Sequence, residues 1–159
     1  SSDSCSTVPL RVVLTDAGAV MPRRATAGSV GYDLATCEDR TVEAFDTAII
    51  RTGLRVMLPP GTYGRIASRS SWANRGLNVQ GGVVDPDYTG ELRVILHNTS
   101  DEKVHLSCAT SVAQLILERC VTPPVEVGRA REGQLPGVWH RQPEPVAVRE
   151  TGGMGSTNM

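Results

Sequence analysis

The feature of this sequence that most restricts its fold is a set of short segments in which apolar residues recur at every second position. In residues 91–98, ELRVILHN, the positions Leu92, Val94 and Leu96 follow this period. A period of two places apolar side chains on one face of a β-strand. Comparable strand signals, separated by Gly or Pro-Gly turns, lie in residues 10–14, in 41–58, which holds two of them, in 103–107 and in 112–120.

The rest of the chain offers little to a helical fold. No long segment has a sustained apolar stripe of helical period, and residues 69–76 allow no more than a short helical turn. The 16 Gly and 10 Pro indicate many turns, and the scarcity of aromatic residues leaves Val, Leu, Ile and Ala to build the core. We therefore predict an all-β jelly roll, or β-sandwich, of about ten short strands.

The charge and hydropathy of the chain exclude two classes of partner. The formal net charge at pH 7 is -1, which provides no basic field for nucleic acid. No apolar run approaches the roughly 18 residues that a membrane-spanning helix needs. We therefore expect neither nucleic acid nor a membrane as a partner.

The cysteines and the first residues predict a reducing compartment. Cys5, Cys37, Cys108 and Cys120 are far apart and form no C-x-x-C pair, so we expect reduced thiols rather than a zinc site. The opening stretch SSDSCSTVPL has neither the basic nor the apolar region of a secretion signal. These observations predict a cytoplasmic or nuclear protein that is not secreted.

The composition changes along the chain and suggests four parts. Residues 1–9 are predicted to be an N-terminal tail, and residues 10–122 the β domain. Residues 123–148 hold five of the ten prolines, which is typical of an extended connector that does not enter a central sheet. Residues 149–159 are rich in Gly, Ser and Thr and are predicted to form a flexible C-terminal arm.

Four short stretches carry residues suited to nucleotide chemistry. In residues 64–73, Arg69 precedes Ser70 and Ser71, and an Arg fork followed by hydroxyls and backbone amides can hold a phosphate. Each stretch alone is more often a turn or a solvated charge. The other three are AGSVGYDLAT (27–36) with Asp33, NVQGGVVDPDYTGEL (78–92) with Asp85 and Tyr88, and the Gly-rich tail that begins at Arg149.

Together these stretches favour the hydrolysis of a nucleoside triphosphate. They provide two Arg-bearing loops for phosphates, carboxylates for water and for a metal ion, and a small hairpin pocket. Glycines in the tail let backbone N–H groups approach phosphate oxygens closely. The pattern G-x-x-x-x-G-K-[ST] does not occur in the sequence, so the phosphate site is not a Walker-type loop.

Five motifs in order resemble those of the trimeric all-β dUTPase family. The resemblance runs from about Leu10 to the C-terminus, and the third motif is the most specific. The motifs are AGSVGYDL (27–34), SRSSWA (68–73), GGVVDPDYTGE (81–91), SVAQLILER (111–119) and RETGGMGST (149–157).

For the third motif, the resemblance implies a pocket for uracil. The backbone groups of Gly82, Val83 and Val84 are expected to meet the edge of uracil as a pairing base does. Tyr88 is expected to stack under the deoxyribose and to leave no room for a 2′-hydroxyl. Asp85 is expected to be the catalytic residue that holds and activates the attacking water.

For the other motifs, the resemblance implies contacts to phosphates and to metal. Arg69, Ser70 and Ser71 are expected to cradle the α- and β-phosphates, and Gln114 is expected to contact a phosphate. Asp33 is expected to contact the cofactor, Mg²⁺, through water. The arm residues expected to close over the substrate are Arg149, Gly153, Met154, Gly155, Ser156 and Thr157.

The activity that the resemblance implies is that of a dUTP diphosphatase. Such an enzyme hydrolyses dUTP to dUMP and pyrophosphate by Mg²⁺-assisted, in-line attack of water at the α-phosphorus. The reaction keeps uracil out of DNA and supplies dUMP for thymidylate synthesis. The resemblance also implies a homotrimer, in which the arm of one subunit closes a site made by two others.

Two other interpretations are open at this point. Ser71 and Trp72 replace the Gly and Leu common in the second motif, and no Asp or Arg precedes Gln114 in the fourth. A related dCTP deaminase would need a Glu base and a pocket for cytosine, whereas a degenerate member would bind the nucleotide without turnover. Because Arg69 and Asp85 are retained, we predict catalysis, and we expect Trp72 to fill the core or a subunit contact.

Overall fold

The structure, a computed structural model, describes residues 7–128 of the chain. Over this range the chain folds into short β-strands and a four-residue helix. The predicted all-β, jelly-roll-like fold is confirmed. The strands are β1 (Arg11–Leu14), β2 (Gly31–Ala35), β3 (Arg40–Val42), β4 (Thr47–Arg51), β5 (Leu54–Met57), β6 (Thr62–Ser68), β7 (Leu77–Gln80), β8 (Val83–Val84), β9 (Arg93–Asn98), β10 (Val104–Leu106) and β11 (Ser111–Arg119), and helix α1 spans Ser70–Ala73.

The strands pair antiparallel in a set of small sheets. The largest has four strands in the order β2-β11-β6-β8, and a second has three in the order β4-β9-β7. Strand β1 pairs with β5, and β10 pairs with β3. Because β11 lies between β2 and β6, stretches that are distant in sequence become neighbours in one sheet.

The period of two in the sequence corresponds to the burial of the strands. In β9, Val94 and Leu96 are fully buried, whereas Arg93 is exposed on the opposite face. Burial of each such aliphatic side chain stabilises the fold by about 1.5–3 kcal/mol. The buried cluster in the described range consists of Val, Leu, Ile and Ala, as predicted: Leu34, Val42, Ala48, Ile50, Leu54, Leu58, Ile66, Leu77, Val84, Leu92, Val94, Leu96, Val104, Leu106, Val112, Ala113 and Leu115.

Asn98, at the end of β9, is a polar side chain that is fully buried beside this cluster. Its Nδ2 donates to the carbonyl oxygens of Val42, Glu43 and Glu102, at 3.3, 3.2 and 2.8 Å. Its Oδ1 accepts from the backbone N–H of Ser100 at 3.0 Å. Because its polar atoms have partners, Asn98 ties three chain segments together without leaving an unpaired buried group.

Two local features differ from the strand predictions. Residues 41–58 contain parts of three strands rather than two, because the short β3 is stabilised by pairing with β10, which is distant in sequence. Strands β2 and β6 run through the stretches 27–36 and 64–73, whose Gly and polar residues weaken the alternation. In both cases tertiary pairing decides the structure where local propensity is weak.

The contacts within the chain divide it into two units, Ser1–Val121 and Thr122–Met159. All the named strands and α1 belong to the first unit. Of the second unit, residues 122–128 are described, and 122–127 have no regular secondary structure. No helix in the described part of the chain is both long and apolar enough to cross a membrane.

Candidate active site

The stretch predicted as a hairpin lines a pocket of about 210 Å³ at the edge of the four-stranded sheet. Its two strands do not pair with each other, because β7 pairs with β9 and β8 with β6. The word hairpin is kept below for residues 81–91, which fold back through a turn at Asp85–Tyr88. Strand β8 pairs with β6, and the backbone N–H of Ile66 donates to the carbonyl oxygen of Gly82 at 2.7 Å. Five of the predicted substrate and catalytic residues line this pocket together. They are Gly82, Val83, Val84, Asp85 and Tyr88, and Arg93 of β9 also lines it.

The backbone conformation before β8 explains why two glycines stand there. Gly81 and Gly82 have φ values of 63° and 99°, in the region that L side chains rarely adopt. A Cβ on Gly82 would also overlap the carbonyl oxygen of Ile66. Gly82 therefore lets the backbone of β8 turn tightly onto β6, and a bulkier residue would shift the pocket wall.

The Tyr88 ring has a defined position at the mouth of this pocket. The backbone N–H of Tyr88 donates to the carbonyl oxygen of Asp85 at 3.0 Å, which closes the turn between them. The Tyr88 hydroxyl donates to the carbonyl oxygen of Glu91 at 2.8 Å. The ring lies against Gly90, where a Cβ would be 2.6 Å from the hydroxyl oxygen. The ring is 45% exposed and is held in place before any ligand binds.

The base of the hairpin is anchored by an ion-pair cluster that the sequence analysis missed. Glu91 Oε1 lies 3.1 Å from Arg51 Nη2, and Arg51 also pairs with Asp16 and Glu38 at 3.4 and 3.8 Å. The hydrogen bond to Glu91 raises the pKa of the Arg51 guanidinium above its ordinary value. Arg55 Nε donates to the carbonyl oxygen of Thr89 at 2.8 Å. These contacts join the hairpin to β4 and β5.

A second pocket, of about 330 Å³, brings together the predicted phosphate and metal residues. In the sheet register, Gln114 of β11 lies opposite Asp33 of β2 on one side and Ala67 of β6 on the other. Arg69 follows directly after β6. The pocket lining includes Asp33, Arg69, Ser70, Ser71 and Gln114, together with Ala25, Ser29 and Gly31.

Arg69 is oriented by two partners at the edge of this pocket. Its Nε lies 3.5 Å from Asp33 Oδ1, and its Nη1 donates to the carbonyl oxygen of Ser111 at 3.3 Å. The Arg69 side chain is 31% exposed, so the guanidinium is neither buried nor fully solvated. A guanidinium has five N–H donors, so an Arg side chain oriented by two of them keeps others for a phosphate.

The Gln114 side chain is also oriented by its neighbours in this pocket. Its Nε2 donates to the carbonyl oxygen of Ser68 at 2.9 Å. Its Oε1 lies where a Cβ on Gly31 would be, so the glycine before Tyr32 makes room for the Gln114 side chain. The role of Gly31 was missed, although the Gly in VGYDL was a visible signal, and the roles of the Ser68 and Ser111 carbonyls have no sequence signal.

The two pockets are separate within one chain and share none of their lining residues. Val84 lies opposite Gly64, so Asp85 continues to the level of Tyr63 on β6. Arg69 lies six residues further along the chain than Tyr63. At about 3.3 Å per residue, the backbone at Asp85 is about 20 Å from Arg69. Asp85 and Arg69 of the same chain therefore line different pockets.

The remaining predicted residues are the metal-contacting carboxylate and the residues of the arm. In the described part of the chain, no group of three or more His, Cys, Asp or Glu side chains is arranged to hold a metal ion. Asp33 is the carboxylate among the residues that line the second pocket. The predicted arm residues lie outside the described residues: Arg149, Gly153, Met154, Gly155, Ser156 and Thr157.

The structure is thus that of an all-β protein with two separate pockets, one lined by hairpin residues that include Asp85 and Tyr88, and the other by Arg69, Ser70 and Ser71. The sequence model of the dUTPase family matches residues 17–138, well over half of the chain. The chain belongs to the dUTPase family. The predicted family and the predicted class of enzyme, a dUTP diphosphatase, are thereby confirmed.

Relatives from distant sources agree with this assignment. The deoxyuridine 5'-triphosphate nucleotidohydrolase of Paramecium bursaria Chlorella virus 1 is 44% identical over 110 residues, which cover 69% of this chain and 78% of that protein. The enzyme of the same name from Yarrowia lipolytica is 36% identical over 151 residues, which cover 94% of this chain and 89% of that protein.

Solved structures show that the fold is shared. A mutant dUTPase from phage phi11 of S. aureus, which coordinates a structural Mg(II) ion, matches with a TM-score of 0.73 at 23% identity, covering 79% of this chain and 100% of that chain. A mutant dUTPase of Staphylococcus bacteriophage 80alpha with dUpNHpp matches with a TM-score of 0.72 at 23% identity, covering 88% and 97%.

Proposed function

We propose that this protein hydrolyses dUTP to dUMP and pyrophosphate. The observation that carries the proposal is the hairpin pocket, in which an exposed backbone edge, the Tyr88 ring and the Asp85 carboxylate line one small cavity. Family membership supports the same substrate.

Discrimination between bases follows from the backbone at Gly82, Val83 and Val84. The N–H and C=O groups of a strand end match the acceptors and donor of uracil, whereas cytosine presents the opposite pattern. A site built to hydrogen-bond one pattern rejects the other by up to about 10⁴–10⁵, because buried polar groups are left unpaired. Thymine is excluded by its methyl group against the backbone that Gly82 brings close to Ile66.

Discrimination between sugars follows from Tyr88. Its ring is fixed by the hydroxyl contact to Glu91 and by Gly90 before the substrate arrives. A deoxyribose can stack on such a ring, while the 2′-hydroxyl of a ribose would require the ring to move. The proposed enzyme therefore prefers dUTP to UTP.

The phosphates bind at Arg69, Ser70, Ser71 and Gln114 in this proposal. Asp33 lies beside Nε of Arg69, and the Ser111 carbonyl accepts a hydrogen bond from its Nη1. The other N–H groups of the guanidinium and the two hydroxyls offer donors to phosphate oxygens. Charge-assisted hydrogen bonds of this kind are roughly twice as strong as neutral ones.

Asp85 supplies the base in this proposal. Its carboxylate accepts a proton from a water that attacks the α-phosphorus in line with the departing pyrophosphate. A positioned general base contributes about 10²–10⁴ to the rate.

Mg²⁺ fits the donor set of the phosphate pocket as an ion held chiefly by the substrate. The Asp33 carboxylate lines the pocket with a side chain that is 28% exposed and already paired with Arg69, which suits a contact through water. When bound, the ion neutralises charge on the phosphate oxygens. The chain itself orients the phosphates through Arg69 and Gln114.

A homotrimer with shared sites is part of the proposal. Because the backbones of Asp85 and Arg69 of one chain are about 20 Å apart, we place the α-phosphate between Asp85 of one subunit and Arg69 of its neighbour. A closed ring of three copies provides the same interface three times. The arm, residues 149–159, closes the site from the third subunit.

The cellular role that we propose is to keep uracil out of DNA and to supply dUMP for thymidylate synthesis. A cytoplasmic or nuclear location suits this role. The proposed location is supported by three free thiols in the described part of the chain, because thiols stay reduced in these compartments. They are those of Cys37, Cys108 and Cys120.

The experiment that tests the proposed function is a pyrophosphate-release assay with dUTP, dCTP, dTTP and UTP in the presence of magnesium. We expect release from dUTP and at least about 10³-fold lower kcat/KM for the other three nucleotides. Release of ammonia from dCTP would instead indicate a deaminase. Tight binding of dUTP without turnover would indicate a nucleotide-sensing module.

A further inference from the structure

Trp72 donates a hydrogen bond to the backbone oxygen that also contacts Arg69. Its indole Nε1 donates to the carbonyl oxygen of Ser111 at 2.8 Å. The same oxygen accepts from Arg69 Nη1 at 3.3 Å. A carbonyl oxygen has two lone pairs, so Ser111 joins the indole and the guanidinium through one atom.

Trp72 is itself held firmly. Its side chain is half-buried and packs against the hydrophobic core. The guanidinium of Arg75 lies over the ring, with Cζ 4.8 Å from the ring centroid. The backbone N–H groups of Trp72 and Ala73 donate to the carbonyl oxygen of Arg69 at 3.1 and 2.9 Å. Trp72 and Arg69 therefore belong to one rigid turn.

The Ser111 carbonyl needs such a partner because the sheet is irregular at this point. The register of β11 against β2 shifts between Ser111 and Ala113, which indicates a bulge. At a bulge the regular ladder of backbone hydrogen bonds is interrupted, and the local peptide is less constrained. The short indole contact fixes the direction of the Ser111 carbonyl.

We propose that Trp72 is a positioning residue for phosphate binding, which acts on Arg69 through the Ser111 carbonyl. The inference rests on the proposed function, in which Arg69 holds the substrate phosphates. An unrestrained Arg side chain loses rotamer freedom when it binds a ligand, and a restrained one has already lost it. Trp72 thereby lowers the entropic cost of holding the triphosphate without contacting it.

The test compares Trp72→Phe with Arg75→Gln in the full chain. The Phe variant removes the N–H donor and keeps an aromatic ring in the core, whereas Arg75→Gln removes the stacked cation and keeps the donor. Steady-state kinetics give kcat and KM for dUTP, and inhibition constants are measured for pyrophosphate and for deoxyuridine.

For Trp72→Phe we expect KM and the pyrophosphate inhibition constant to rise about five- to tenfold, as for loss of one hydrogen bond. We expect kcat and the deoxyuridine inhibition constant to change less than about twofold. Arg75→Gln, which keeps the indole donor, should raise KM and the pyrophosphate inhibition constant less than Trp72→Phe does. A fall in kcat with KM unchanged, or equal weakening of deoxyuridine, would show a purely structural role and overturn the proposal. If the Phe variant does not fold, benzothienylalanine at position 72 keeps the ring shape without the N–H and undergoes the same assays.

A double-mutant cycle with Arg69→Lys separates this inference from the proposed function. If Trp72 acts through Arg69, adding Trp72→Phe to the Lys variant changes the pyrophosphate inhibition constant less than about twofold. Full additivity contradicts the inference. If Arg69→Lys alone leaves KM and pyrophosphate inhibition unchanged, the phosphate role of Arg69 fails, and the proposed function fails with it at this site.

Discussion

At the scale of single residues, Asp85 and Gly82 have different proposed roles in the hairpin. Asp85 lines the same pocket as the backbone edge that we propose for uracil recognition. Gly82 gives that edge its position, since its φ of 99° and its closeness to Ile66 exclude a side chain. The proposed chemical role therefore belongs to Asp85, and the conformational role belongs to Gly82, three positions earlier.

Asp85→Asn tests the chemical role. The amide keeps the shape of the carboxylate but cannot accept a proton, so we expect kcat to fall about 10²–10⁴-fold while the affinity for dUTP stays within about threefold. Pyrophosphate release measures the first quantity and calorimetric titration the second. The matched control is Asp87→Asn, an exposed carboxylate on the same turn, which should keep its kcat. An Asp85→Asn variant with normal kcat would remove the water-activating role.

Gly82→Ala tests the conformational role. The added Cβ meets the Ile66 carbonyl oxygen and also imposes a left-handed backbone on an L residue, which alone costs about 1–2 kcal/mol. We therefore expect a lower melting temperature and a raised KM for dUTP. Gly81→Ala is the control, because Gly81 has a φ of 63° but open space around a Cβ. Equal effects of the two variants would mean that closeness to Ile66 is unimportant.

At the scale of elements, β6 and β11 are joined by side chains as well as by their ladder. Glu118 Oε1 accepts from Arg65 Nε at 2.7 Å and from the Tyr63 hydroxyl at 2.8 Å. The hydrogen bonds from Arg65 and then from Tyr63 hold the pKa of the Glu118 carboxyl below its ordinary value of 4.5. The same contact with Glu118 raises the pKa of the Tyr63 hydroxyl.

This pKa shift predicts a pH dependence of stability. A carboxyl whose pKa is lower in the folded state stabilises the fold above its unfolded pKa, and this contribution is lost as the pH falls through the folded pKa. We therefore expect Glu118→Gln to lower the melting temperature at pH 7 and the difference to disappear as the pH falls below 4.5. Glu43→Gln, at an exposed position, is the control. A pH-independent difference would contradict the role of the charge.

The elements also show what the sequence could and could not predict. Strands such as β4 and β9 follow the period of two, and the β-rich fold and its aliphatic core could be predicted from that pattern. The meeting of Asp33 with Gln114 depends on sheet register, which single-sequence patterns do not contain. The contacts to the Ser111 carbonyl could not be predicted, because a backbone atom leaves no mark in the sequence.

At the scale of the whole molecule, the separation of Asp85 from Arg69 is the main constraint. The backbones of these two residues lie about 20 Å apart along β6 in one chain. In the proposed function, the base pocket of one copy is therefore completed by the phosphate cradle of another, and the proposed homotrimer supplies both. The proposed contribution of the arm comes from a part of the chain outside the described residues.

Truncation after Val148 tests the proposed role of the arm. Removal of residues 149–159 takes away Arg149 and the Gly-rich segment, but it leaves every strand of the β domain. We expect an unchanged melting temperature and an unchanged trimer, with kcat/KM for dUTP lower by orders of magnitude, because a closing segment excludes water and completes the site. Light scattering and pyrophosphate release provide the measurements. Full activity of the truncated chain would exclude the arm from the site.

The most direct test of the shared site mixes subunits of two inactive variants. Asp85→Asn trimers and Arg69→Ala trimers are unfolded together and refolded in equal amounts, with different tags to verify that mixed trimers form. If each site takes Arg69 from one subunit and Asp85 from its neighbour, about one quarter of the sites in a random mixture are intact. Wild-type chain mixed with the double variant is the control.

We predict that the mixture of the two inactive variants recovers about one quarter of the wild-type rate of pyrophosphate release from dUTP, and that the control mixture shows about the same rate. If Asp85 and Arg69 of the same chain formed each site, the mixed trimers would stay as inactive as the two parent variants. The control mixture would then reach about half of the wild-type rate. That pair of results would contradict the shared site.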